Sequence, residues 1–220
     1  GDQGIEGLVL SFGKEASTIS VEGDQIRAEA GALLSRAANA ALEHGLGGLA
    51  FAAGIPGTIG GAVCMNAGAY GGEMKDVLQE VRVLRADGRI EDWQAEDLDL
   101  SYRHSRMMDE GAIVLSAIMR LHPQAAGQIK AEMDDYRSRR QAKQPLEYPS
   151  AGSTFKRPEG YFAGKLIMDA GLAGYRVGDA AVSDKHCGFV VNLGKATAAD
   201  VRKLMQDVSD RVYAQFGVHL

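Results

Sequence analysis

Gly54-Ile55-Pro56-Gly57-Thr58-Ile59-Gly60-Gly61-Ala62-Val63-Cys64-Met65-Asn66-Ala67-Gly68-Ala69-Tyr70-Gly71-Gly72 is the stretch on which the fold turns. Seven of its nineteen residues are glycine, so side chains have been removed along a long path. Glycine lets backbone N–H groups approach a ligand closely and adopt positive φ, and concave nests of such groups bind diphosphates. A cofactor diphosphate fits a path of this kind. The stretch is neither a P-loop, since no Gly-Lys-Ser/Thr follows, nor the Gly-x-Gly-x-x-Gly dinucleotide fingerprint after a parallel strand. The competing reading is a tight crossing of elements in which glycine serves close packing alone. Asn66 and the small residues around it favour a site.

Upstream, Gly7–Phe12, Ser17–Val21 and Gln25–Glu29 read as strands of a meander, with a turn at Glu22-Gly23-Asp24 between the last two. Leu33, Leu34, Ala37, Ala38, Ala41 and Leu42 recur at helical spacing, so a helix is expected over Gly31–Glu43, stopped by Gly45. Downstream, Val77–Leu84 and Ile90–Trp93 flank Asp87-Gly88 as a hairpin, and Ala112–Met119 is a nearly continuous apolar strand. Gln128–Lys143 reads as a helix with Ile129, Met133, Tyr136 and Arg140 on one face. Pro145 and Pro149 break the chain there, which puts a domain boundary after residue 145. Beyond it, helices over Gly164–Ala170 and Ala198–Phe216 and a buried strand over Gly188–Asn192 make a small α+β unit.

Two further segments carry polar groups in informative places. Ser101-Tyr102-Arg103-His104-Ser105-Arg106 lies between apolar strands, and the planar fork of Arg103 suits a carboxylate or phosphate. A solvated loop is the plainer account of Arg103 and of His104. In Gln144–Pro158, Ser153 follows a glycine at a turn without a Gly-x-Ser-x-Gly elbow, which leaves it open as a proton donor rather than an acyl nucleophile. Lys156 and Arg157 beside it suit an anionic substrate, or are ordinary surface cations. His186 and Cys187 are adjacent in sequence, which makes no catalytic pair.

With 24 Lys and Arg against 29 Asp and Glu, the net charge of −5 argues against a nucleic-acid partner. No apolar run approaches membrane-helix length, and no signal-peptide pattern opens the chain. Cys64 and Cys187 lie far apart, which fits a reducing, cytoplasmic setting and neither a disulfide framework nor a metal site.

Taken together the segments resemble one family, the UDP-N-acetylenolpyruvoylglucosamine reductases. Phe51–Ala62 with Asn66–Gly71 looks like the family's flavin loop, Tyr102–Ser105 its arginine motif, and Lys143–Pro158 its serine motif. Gly160–Ile167 and Val182–Asn192 continue the likeness, so it covers essentially the whole chain. The resemblance implies an α+β protein: the second lobe of a two-lobed FAD-binding domain, an antiparallel sheet with helices over residues 1–145, then a small α+β substrate-binding domain over 146–220. It implies FAD held by Gly54, Ile55, Pro56, Gly57, Thr58, Gly60, Gly61, Ala62, Asn66, Gly68, Ala69 and Tyr70, with NADPH as co-substrate and no metal. Arg103 matches the residue that stabilises charge at the substrate carboxylate, and Ser153 the proton donor to C2. Lys143, Lys156 and Arg157 would face the diphosphate or carboxylate of a UDP-sugar enolpyruvyl ether. A cytoplasmic monomer or weak oligomer, binding neither nucleic acid nor membrane, completes the expectation.

Some features depart from the family pattern. Ahead of the point where this sequence begins, family members carry another lobe with a second glycine-rich loop. After the last helix they carry a catalytic glutamate in a Leu-Glu-Pro-Glu-Val-like segment, whereas this sequence stops at Val218-His219-Leu220. Ala50 stands where glutamate is usual and Met168 where an acidic residue is common. The expectation is therefore a fragment that does not turn over alone. A non-catalytic UDP-sugar-binding module, or another flavin oxidoreductase of the same FAD-binding fold, is the alternative.

Overall fold

The structure, a computed structural model, describes residues 2–220; Gly1, where the first expected domain begins, lies outside the described residues. Packing divides the chain into two units, Val9–Ser138 on one side and Arg139–Leu220 with the residues up to Leu8 on the other.

In the first unit β1 (Ile19–Glu22) and β2 (Gln25–Glu29) form a hairpin whose turn sets Gly23 at φ +59°, a conformation that costs glycine least. Helix α1 (Leu34–Glu43) follows, burying Leu34, Ala37, Ala38 and Ala41 at the spacing of one helical face. The short strand β3 (Leu46–Gly47) precedes the glycine-rich stretch, which holds α2 (Ile59–Cys64), β4 (Gly68–Ala69) and β5 (Gly72–Glu73). Then come β6 (Leu78–Leu84), β7 (Ile90–Gln94), α3 (Arg106–Glu110), β8 (Ile113–Arg120), β9 (His122–Pro123) and α4 (Ala126–Lys143).

The main sheet has the order β1-β2-β8-β6-β7, antiparallel throughout. Register aligns Ile26 with Met119, and Ala117 with both Ala28 and Val81, so one sheet face is continuously apolar. Against it lie the buried faces of α1 and of α2, the latter through Ile59, Ala62 and Val63. Each large side chain taken fully out of water, such as Ile26, Ile59 or Met119, contributes about 1.5–3 kcal/mol. The single tryptophan, Trp93, is buried on β7 with the guanidinium carbon of Arg106 4.1 Å and that of Arg85 5.8 Å from its ring centre. Its indole N–H donates to Glu91 at 2.9 Å.

The division between units falls inside α4, whose two buried residues, Ile129 and Met133, lie before Ser138. In the second unit α5 (Ala163–Asp169), β10 (Arg176–Val177), β11 (Ala180–Val182), β12 (Val190–Asn192) and α6 (Ala198–Phe216) make an α+β layer. The three strands pair antiparallel in sequence order. Leu166 and Ile167 of α5 and Leu204, Val208 and Val212 of α6 share a core with Ala180, Val182 and Val190. Thr197 and Asp200 form a reciprocal capping box at the start of α6, and Gly217 ends it.

One expected strand is absent. Gly7–Phe12 is irregular, with Leu8 and Leu10 more than four-fifths exposed, because among the described residues no strand lies beside it to complete a ladder. The second meander strand, expected over Ser17–Val21, starts later, at Ile19, and the strand expected over Gly188–Asn192 is confined to β12. A turn takes its first residues, with Gly188 N–H donating to His186 Nδ1 and Phe189 N–H to the His186 carbonyl.

Candidate active site

Close packing accounts for some glycines of this stretch and not for others. Gly60 leaves room for Ala30: a Cβ there would come within 3.0 Å of the Ala30 Cβ, and its N–H donates to the Ala30 carbonyl at 2.9 Å. Gly68 and Gly72 are packed equally closely, against Glu73 and the Phe51 ring. Gly61 is different. It sits in α2 at an ordinary φ, exposed, and an added Cβ would meet only Thr58 Oγ1, at 4.0 Å. A helical glycine that neither packing nor backbone requires costs stability, and the bare face of Gly61 is open and exposed. Gly57, at φ +147° with open space beside it, continues that bare face. Gly54 and Pro56 are exposed, Ile55 and Thr58 half-buried, and Ala62 buried under the helix. These residues fit a flavin diphosphate laid along the Gly57–Gly61 backbone.

Beyond α2 the chain turns through Asn66, which is fully buried at φ +40°. Its amide is used inside the protein: Nδ2 donates to Glu73 Oε2 at 2.7 Å and to the Ser101 carbonyl at 3.0 Å, and Oδ1 accepts from the Lys75 N–H at 2.9 Å. Lys75 in turn bonds Glu73, which holds its ammonium pKa above the ordinary value. Tyr70 (φ +56°) and Gly71 (φ +90°) make the turn between β4 and β5, and the Tyr70 ring stacks on Tyr136 at 4.6 Å. Ala69 lies on β4, half-buried.

The arginine segment closes onto this loop. Ser101 and His104 exchange backbone hydrogen bonds of 3.2 and 3.3 Å around a turn in which Arg103 takes φ +56°. Arg103 Nη1 donates to the Asn66 carbonyl at 3.2 Å and Nη2 to the Gly68 carbonyl at 2.9 Å. Buried Ser105 donates through Oγ to the Cys64 carbonyl at 2.6 Å, at the end of α2. Ser101, Ser105 and Glu73 escape a reading of the sequence because their partners lie 35, 41 and 7 residues away. His104 Nε2 meets Asp109 at 3.0 Å, and Asp99 brings a third ligand atom within 4.8 Å. Asp99 and Asp109 are exposed and His104 half-buried, and we assign no metal to them.

In the second unit Ser153 is exposed, following Gly152 at φ +94° and bridged to Phe189. Thr154 secures that bridge on both sides, its N–H donating to the Gly188 carbonyl and its Oγ1 accepting from Val190 N–H. Lys156 and Arg157 follow on the same exposed segment, with Arg157 over the Phe162 ring at 4.6 Å, and Lys143 ends α4 in solvent. A cavity of about 360 Å³, lined by Tyr148, Arg176, Ser183, Lys185, Val191 and Leu193 among others, opens in this unit. Four separated segments build it, so no local motif announces it. Cys187 is buried, and burial and the nearby Asp184 push its thiol pKa up, which disfavours the nucleophilic thiolate.

Family models match along both units. Residues 144–220 match the C-terminal domain of UDP-N-acetylenolpyruvoylglucosamine reductase and residues 1–93 match an FAD binding domain. The UDP-N-acetylenolpyruvoylglucosamine reductase of Agathobacter rectalis is 58% identical over the whole of this chain, which spans 74% of that protein. This chain belongs to the UDP-N-acetylenolpyruvoylglucosamine reductase family. The reductase of Syntrophomonas wolfei is 50% identical over the whole chain, which spans 73% of that protein. The crystal structure of the Thermus caldophilus reductase superposes with a TM-score of 0.80 at 39% identity, over 89% of this chain and 71% of that one. The α+β reading and the flavin-binding character of the first unit therefore stand as family properties.

Proposed function

We propose that this protein carries out the reaction for which its family is named: reduction of UDP-N-acetylglucosamine enolpyruvate to UDP-N-acetylmuramate, in peptidoglycan precursor synthesis. The observation that carries the reading is the pair of hydrogen bonds from Arg103 to the Asn66 and Gly68 carbonyls. They fix a cation suited to a substrate carboxylate in the frame of the flavin loop. FAD, when bound there, would supply the hydride chemistry for C3 of the enolpyruvyl ether, with NADPH as the reductant.

The rest falls to side chains. Negative charge grows on C2 and its carboxylate as C3 is reduced, and Arg103, with two of its five donors already anchored, stabilises that charge with little reorganisation. The Ser153 hydroxyl gives its proton to C2; an enolate-like carbon is basic enough to take it from a weak acid held within reach. The backbone and small side chains of Gly54, Ile55, Pro56, Gly57, Thr58, Gly60, Gly61, Ala62, Gly68, Ala69 and Tyr70 hold the flavin, with Asn66 shaping the loop. Lys143, Lys156 and Arg157 meet the diphosphate of the UDP-sugar. The flavin-holding domain is residues 1–145 and the substrate domain 146–220.

The net charge of −5 supports a small-molecule partner over nucleic acid. Two unpaired cysteines support a cytoplasmic setting. Among the described residues no helix is long and apolar enough to cross a membrane. We take the working form to be a monomer or weak oligomer without membrane attachment. The test is a visible spectrum of the protein made from its complete gene. A flavin band that bleaches with NADPH and returns on adding the enolpyruvyl UDP-sugar without oxygen is expected. A colourless, folded protein that takes up no FAD overturns the reading and leaves a UDP-sugar-binding module.

A further inference from the structure

We propose that Asn66 is a positioning residue for Arg103, locking the arginine and the flavin loop into one frame. The inference rests on the role given to Arg103 above and goes beyond it. A buried asparagine at φ +40° would shape its own loop with one local bond, and the bond from the Lys75 N–H to Oδ1 does that. Donation to the Ser101 carbonyl, 35 residues on, adds nothing to the loop's own shape. It fixes the base of the turn that Ser101 and His104 close, and Arg103 sits within that turn.

The return contact comes from the other side chain. Arg103 Nη1 donates to the carbonyl of Asn66 itself, and Nη2 to that of Gly68. Each residue thus holds the other's segment: the Asn66 amide grips the Arg103 turn, and the Arg103 guanidinium grips the Asn66 backbone. Glu73 completes the lock by accepting the second Nδ2 hydrogen at 2.7 Å, which fixes which way the amide faces. An arginine has four rotatable side-chain bonds, and a charge-stabilising group must be held to a fraction of an ångström. The reciprocal lock supplies that constraint where packing does not, since Arg103 is only half-buried.

The test separates the two half-reactions in the FAD-loaded enzyme made from the complete gene. Asn66→Gly keeps the left-handed backbone and adds no charge; Asn66→Asp keeps the acceptor for Lys75 but removes both donors. For both variants, stopped flow should show reoxidation of reduced flavin by the enolpyruvyl substrate slowed by about 10²-fold, with flavin reduction by NADPH slowed by a much smaller factor. In flavin-free protein, amide exchange should quicken over residues 101–106 while β6 and β8 exchange as before. Asn66→Gly placed on Arg103→Ala should slow substrate reduction no further than Arg103→Ala alone. Equal slowing of both half-reactions, or a double variant showing the product of the two single effects, overturns the positioning role. If Asn66→Gly does not fold, Glu73→Ala leaves the asparagine in place and should slow the substrate half-reaction selectively; equal slowing of both halves overturns the lock in that variant as well. Arg103→Ala with substrate reduction intact would instead remove the catalytic role of Arg103, a different failure from that of Asn66.

Discussion

Gly60 and Gly61 are neighbours that lack side chains for opposite reasons, and the difference is measurable. Gly60→Ala drives a Cβ to 3.0 Å from that of Ala30, so the protein should lose stability as the α2 crossing opens. Gly61→Ala meets open space on a helix and should stabilise the flavin-free protein by about 0.5–1 kcal/mol. The same added methyl stands on the bare face of the cradle, so FAD affinity should fall; thermal melts with and without FAD give both quantities. A Gly61→Ala protein that binds FAD as before would remove Gly61 from the cofactor site. Arg103→Ala should lower kcat by about 10²–10³, and Ser153→Ala by about 10²–10⁴. Steady-state kinetics on each variant decides whether either residue acts in the chemistry.

At the scale of the element, α6 shows how a local sequence signal becomes a pH-dependent property. The Thr197 backbone N–H, and then its side chain, hold the Asp200 carboxyl below its ordinary value of 3.8. A carboxyl lowered in the folded state contributes stability present above its unfolded pKa, and that stability is lost as pH falls through the folded value. Acid melts followed by far-ultraviolet dichroism should therefore show α6 weakening below pH 3.8, and Asp200→Asn should make that dependence shallower. Thr197→Ala removes the other half of the box and should lower the melting temperature at neutral pH.

The helix α6 was legible in the sequence over the bounds it takes, as periodic apolar spacing made α1 and α4 legible and as Asp87-Gly88 did for the hairpin of β6 and β7. Helix α2 was hidden because its own residues argue against a helix: two of its six are glycine. Tertiary hydrogen bonds from the Ile59 and Gly60 N–H groups to Ala32 and Ala30 hold it instead. Strands β10 and β11 span two and three residues, too short for any period to register. Gly7–Phe12 had the right residues for a strand and, among the described residues, no neighbouring strand to pair with. Among the candidate residues, the types of the glycine loop, Arg103 and Ser153 stood out, whereas the hydrogen bonds from Asn66 and Ser105 to distant carbonyls exist only once the chain has folded.

Across the whole molecule, two units with separate cores sit on one chain, and their chemistry divides in the same way. The glycine loop and Arg103 belong to the first, Ser153 and the cations around it to the second. Loading with FAD should therefore raise the melting temperature of the first unit directly, through ligand linkage, and calorimetry with and without FAD tests this. Trp93 adds an optical consequence. It is the chain's one indole, buried in the first unit with two guanidinium groups near its ring, and the second unit has none. Emission excited at the red edge of the tyrosine band thus reports on the first unit alone, while dichroism sums the helices of both. Subtracting one unfolding curve from the other isolates the second unit's own transition without a label, a cut or a mutation.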